Sequence, residues 1–141
     1  MKVAVLSESP ADVAAVHILI DGLLGRLTQS IEPPQQSRTR EWSDVLQVIP
    51  AVLKHIHYRT DTHAFAVVID TDNSPLHQPP HEVPGGEMAK CRLCQLRQVV
   101  TQTQKQLPPV LGRAPFRLLS VQLFHPSRHG TVVGLSHISM K

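Results

Sequence analysis

Long hydrophobic runs are missing from this chain. None of its 141 residues lie in a stretch near the roughly 20 apolar residues that a membrane span needs. The run from Val3 to Leu6 is far too short for a signal-peptide core, so the expected address is cytoplasmic, with no membrane partner. Cysteine is equally scarce. Two residues, Cys91 and Cys94, cannot build a disulfide scaffold, and a gap of two between them points to metal or redox chemistry before a staple. Aromatic residues make up 4%, too few for the base-stacking platform of a single-strand-binding protein. A Gly-rich phosphate loop, a Ser-His-Asp order and internal repeats are also absent.

What is present is an ordinary globular composition, 41% apolar and 18% charged, which suits one domain over residues 1–141. Histidine is abundant, with nine residues and a net charge of +3 when all are neutral. Charge and metal affinity should therefore both change between about pH 5 and 7. Residues 1–70 carry six Lys or Arg against eight Asp or Glu, and residues 71–141 carry eight against three, so the halves stand at −2 and +5. Lys90, Arg92, Arg97, Lys105, Arg113, Arg117 and Arg128 can form a surface for nucleic-acid phosphates, against the plainer reading of a solvated face.

Apolar periodicity predicts alternating strands and helices. Lys2 to Leu6 reads as a buried strand ending at Ser7-Glu8-Ser9-Pro10. The following helix is capped by Ser9 or Asp12, carries Val13, Val16, His17, Ile20, Leu23 and Leu24 at helical spacing, and stops at Gly25. Residues 31–42 hold a short second strand at best. Ser43 is expected to cap a second helix facing inward with Val45, Leu46, Ile49, Val52, Leu53 and Ile56, with Pro50 as a kink or a reason to start late. The run Ala64 to Ile69 has the pattern of a strand buried on both faces of a parallel sheet. A Pro/Gly-rich loop over 71–86 leads to a helix from about Glu87 to Gln106, and a fourth strand follows over Phe116 to Leu123. This order predicts an α/β fold, an open, mostly parallel four-stranded sheet flanked by helices in three layers.

In such sheets, functional groups gather beyond the carboxyl ends of the strands. Glu8 follows the first strand, and Asp70 and Asp72 end the third. Oxygen ligands of this kind suit Mg²⁺ or Mn²⁺ and phosphoryl chemistry. The plainer reading is that aspartates after a strand cap a turn.

The segment Val3-Ala4-Val5-Leu6-Ser7-Glu8-Ser9-Pro10-Ala11-Asp12, followed by Val67-Val68-Ile69-Asp70-Thr71-Asp72, resembles the two signature motifs of Toprim domains. It is most similar to the small bacterial Toprim-like proteins of uncharacterised function. The resemblance covers roughly residues 1–123. It implies a four-stranded parallel sheet with three helices, Mg²⁺ on Asp70 and Asp72, acid/base or ligand duty for Glu8, and a further family acid at Asp12. Ser9 stands where the family usually has glycine, and the resemblance leads one to expect another acidic helix beyond Lys141.

A second constellation is chemically different. His77-Gln78-Pro79-Pro80-His81 precedes Cys91-Arg92-Leu93-Cys94, and two imidazoles with two thiolates are a soft tetrahedral set for Zn²⁺. A zinc ion could order a loop that has little core of its own. His125 or His129 can replace either loop histidine. The plain alternatives are a core Cys94 with solvated histidines, or a redox pair. His55 and His57 read as capping or surface residues, and Trp42 as a cover for the core edge.

Two functions follow. In the first, the chain is a Toprim-like, Mg²⁺-dependent phosphoryl-transfer protein, a nuclease or nucleic-acid-processing protein, with Glu8, Asp70 and Asp72 as its catalytic set. In the second, it is a non-catalytic binding or assembly module, able to form a homo-oligomer, in which His77, His81, Cys91 and Cys94 hold zinc and the acids are vestigial.

Overall fold

A computed structural model describes residues 1–7, 9–34, 41–70, 74–75, 77, 89–110, 117–124 and 132–138, with residues 69 and 70 and the last two segments described as backbone. The elements run β1 (Lys2–Leu6), α1 (Pro10–Leu24), β2 (Gln29–Ile31), α2 (Trp42–Arg59), β3 (Ala64–Asp70), α3 (Arg92–Gln104), β4 (Arg117–Phe124) and β5 (Val132–Ile138). The class is α/β with an open sheet, as the alternation of patterns requires.

The sheet has strand order β2-β1-β3-β4-β5. Its centre is the parallel set β2-β1-β3, in which Ala4 lies beside Ile31 on one side and Phe65 on the other. β4 continues it in parallel, with Phe65 beside Leu118. β5 then runs antiparallel to β4, with Val121 beside Leu135. Among the described residues, β5 is a strand beyond the four that the apolar pattern predicts. The last strand was missed because Gly134, Ser136 and His137 interrupt its apolar pattern.

Strand alternation sorts the core into two faces. Val3, Val5, Ala64, Ala66 and Val68 pack with Val16 and Ile20 of α1. Ala4, Leu6, Phe65 and Val67 pack with α2 and α3 through Val45, Ile49, Leu53, Ile56, Leu96 and Val100. Phe65 is fully buried between β3 and the two-helix layer.

Local chemistry explains most helix ends. Ser9 is the N-cap of α1, with φ −133° and its Oγ accepting from Ala11 N at 3.2 Å. Since φ is negative, glycine is not needed there. Gly25 closes α1 in the left-handed region, φ +61°, donating its N–H to Asp21 O. Leu23 and Leu24 are exposed, together with Ile18 and Leu27. α1 touches the sheet through Val13, Val16 and Ile20.

In α2 the cap is Glu41 and not Ser43, and Pro50 lies inside a helix that continues to Arg59. The missing N–H at Pro50 removes one ladder bond, while Val45, Ile49, Val52, Leu53 and Ile56, all buried, hold the helix in place on both sides. α3 begins at Arg92, later than the expected Glu87, with Cys91 as its cap residue. β2 spans Gln29–Ile31, earlier than the expected 31–42, and is held at its start by Gln29 N donating to Met1 O at 2.9 Å.

Candidate metal centre

The start of α3 determines this site. Cys91 occupies the cap position and Cys94 the first turn. Three residues of helical spacing put both thiols on one side of the helix. Cys91 makes no side-chain cap bond, and the Arg92 N–H instead donates to Ser74 Oγ at 3.1 Å. That bond ties the stretch after β3 to the helix start and brings His77 over the two sulfurs.

His77 Nδ1 lies 3.3 Å from Cys94 Sγ and 3.7 Å from Cys91 Sγ. The three ligand atoms all fall within 4.8 Å of one another. Zn²⁺ bound at about 2.0 Å from nitrogen and about 2.3 Å from sulfur gives tetrahedral N···S edges of about 3.5 Å. The two observed separations bracket that value. Both cysteines are free and buried, at 1% and 4% exposure, and His77 is half-buried. One imidazole and two sulfurs are a soft donor set, suited to zinc and unsuited to Mg²⁺. The group can hold a metal, and the donors fit zinc.

Surrounding contacts brace α3. Trp42 Nε1 donates to Gln95 Oε1, Gln95 Nε2 donates to Ala89 O, and the Arg92 guanidinium lies 5.6 Å from the Trp42 ring centroid. Trp42 thus packs on the core edge and anchors the cysteine-bearing turn to α2. Arg97, one turn beyond Cys94, places Nη1 3.1 Å from His77 Nε2. Sequence reading counted Arg97 only as a basic residue. The i, i+3 relation to Cys94 was the available signal.

His81, the expected fourth donor, lies outside the described residues, as do His125 and His129. Sequence reading treated His77 and His81 alike, and the structure brings His77 to the cysteines.

The acidic site is described in part. Leu6 at the end of β1 pairs with Val67, and β3 runs three residues further to Asp70. In the order β2-β1-β3-β4-β5 the chain reverses its direction of travel across the sheet between β1 and β3, the place where open α/β sheets bind ligands. Asp70 closes β3. Asp12 sits in the first turn of α1, half-buried. Glu8 and Asp72 lie outside the described residues.

A separate carboxylate has a structural task. Asp21 Oδ1 accepts from Thr28 Oγ1 at 2.6 Å and from Thr28 N at 2.8 Å. These bonds hold its carboxyl below the usual carboxylate range. They fasten the turn between α1 and β2.

No family model, curated protein or solved structure matches the chain. What the fold and site define is an α/β fold with an open, mostly parallel sheet and a His/Cys/Cys group able to hold a metal. No helix among the described residues is long and apolar enough to cross a membrane.

Proposed function

We propose that this chain is a zinc-stabilised α/β binding or assembly module, in which His77, Cys91 and Cys94 hold a structural Zn²⁺ and His81 supplies the fourth donor. The observation that carries this reading is the position of His77 Nδ1, 3.3 and 3.7 Å from the two sulfurs. A closed site of this type contributes to folding directly, because the unfolded chain does not present the ligands together. The ion would fix the segment between β3 and α3, beside the carboxyl end of β3. Nucleic acid is the partner that the basic C-terminal half favours, and a second copy of the chain is the other.

A second reading draws on the topology. The β1 and β3 carboxyl ends are neighbours at the switch point, which supports a Toprim-like, Mg²⁺-dependent phosphoryl-transfer function. Asp70 and Asp72 would hold Mg²⁺ or Mn²⁺, Asp12 would add a carboxylate, and Glu8 would move a proton or complete the ligand set.

Elemental analysis of the purified protein, with and without added Mg²⁺, separates the two readings when combined with a DNA and RNA cleavage assay. The first reading expects one zinc per chain, a large fall in Tm on chelation and no Mg²⁺ effect. Metal-free protein with unchanged Tm refutes it. The second expects Mg²⁺-dependent cleavage that is lost when Asp70→Asn and Asp72→Asn are combined. Cleavage unaffected by that pair refutes the site.

A further inference from the structure

One contact of the metal group runs against a bound ion. Arg97 Nη1 is 3.1 Å from His77 Nε2. A guanidinium has five N–H donors and no acceptor, so Nε2 must be the acceptor. A neutral imidazole carries one N–H, which then sits on Nδ1 and faces Cys94 Sγ at 3.3 Å.

A metal-bound histidine has the opposite arrangement. One ring nitrogen gives its lone pair to the ion, and the other donates its N–H to a carboxylate, a carbonyl or water. Nδ1 is the atom beside the sulfurs, so it is the ligating nitrogen. Its proton then has to be lost to water while Nε2 gains one from water, so the ring is neutral before and after the exchange. The new N–H at Nε2 points at the guanidinium, where donor meets donor.

We infer that Arg97 competes with the metal for His77: it holds the ring in the tautomer that cannot ligate, and it has to release Nε2 before zinc is bound. The inference rests on the zinc reading above. Arg97 is thus a positioning residue that acts through His77. Its location follows from the helix, since a side chain three residues after Cys94 shares that face of α3. The consequence is a site that takes up zinc less tightly than its donor geometry allows and that moves a cation when it fills.

The test uses the full chain and Zn²⁺ itself, titrated in competition with a chromophoric chelator. Arg97→Gln offers Nε2–H an amide oxygen, and we expect zinc affinity to rise about tenfold, the lower end of what an outer-shell partner typically changes. Arg97→Leu, which removes the donor without adding an acceptor, should give a smaller gain. Arg97→Lys keeps donors and charge, and should stay within a few-fold of wild type. The sulfur-to-metal charge-transfer band of the Co²⁺ form should keep its intensity in all four proteins, because the ligands are unchanged.

Nitrogen-15 NMR of wild type provides a readout that needs no variant to fold. Nδ1–H is expected without metal and Nε2–H with Zn²⁺. An Nε2–H ring in the metal-free protein, or an Arg97→Gln affinity no tighter than wild type, overturns the inference and leaves the zinc site standing. Absence of zinc uptake by wild type and all three variants overturns the zinc reading, and this inference with it.

Discussion

His77 Nδ1 and Cys94 Sγ stand 3.3 Å apart across 17 residues of sequence. Among the described residues, the tie between Ser74 Oγ and the Arg92 N–H, at 3.1 Å, the packing of α3 on α2 and the Arg97–His77 contact help bring that loop nitrogen to a helix sulfur. The pair sets the spacing of the candidate metal centre.

Removing a donor should act as removing the ion. Zinc present at about 100 times its Kd adds about 2.7 kcal/mol, which is about 10 °C in Tm for a chain of this size. Cys94→Ala is expected to lower Tm by about that amount with zinc present, and EDTA should then cause little further loss. Differential scanning calorimetry of wild type and variant, each with and without EDTA, measures the four values. A full EDTA effect persisting in Cys94→Ala would show that the ion sits elsewhere.

Phe65 is 0% exposed between β3 and the α2/α3 layer. Phe65→Ala is expected to cost about 3–5 kcal/mol, measured as a fall in the urea midpoint. A loss under about 1 kcal/mol would mean that the two-helix layer does not close on this ring.

Ser9 accepts from Ala11 N at the start of α1. Ser9→Ala should cost about 1 kcal/mol, and Ser9→Gly only a few tenths. That order, read from thermal melts, distinguishes a capping serine from one whose backbone requires glycine, for which Ser9→Gly would be stabilising.

Asp21 titrates below an ordinary carboxylate, first because its side chain accepts from the Thr28 hydroxyl. A carboxyl depressed in the folded state contributes stability above its unfolded pKa and loses it as pH falls through the folded one. Wild type should therefore lose more Tm than Asp21→Asn between about pH 5 and 2. Parallel melting curves across that range show the difference, and superimposable curves would assign the carboxylate no role.

Much of the frame was legible because its determinants are local. Ser9 and Pro10 start α1 and Gly25 ends it whatever the rest of the chain does. Val3 to Leu6 and Ala64 to Ile69 are continuous apolar runs of strand length, and Val3 to Leu6 and Ala64 to Val68 are buried. β5 was not legible, since Gly134, Ser136 and His137 break the pattern and pairing with β4 supplies the missing order. Leu23 and Leu24 fit the helical period of α1, yet both are exposed.

The same division holds at the metal centre. Sequence by itself determined the chemistry, since Cys91 and Cys94 at helical spacing beside loop histidines form a soft donor set in any fold that brings them together. Tertiary structure decided that His77 meets them, that Nδ1 is the nitrogen turned toward sulfur, and that Arg97 takes the other one. Residue type sets which atoms can bind an ion, but distance and hydrogen-bond direction arise only when a loop, two helices and a sheet edge pack against one another.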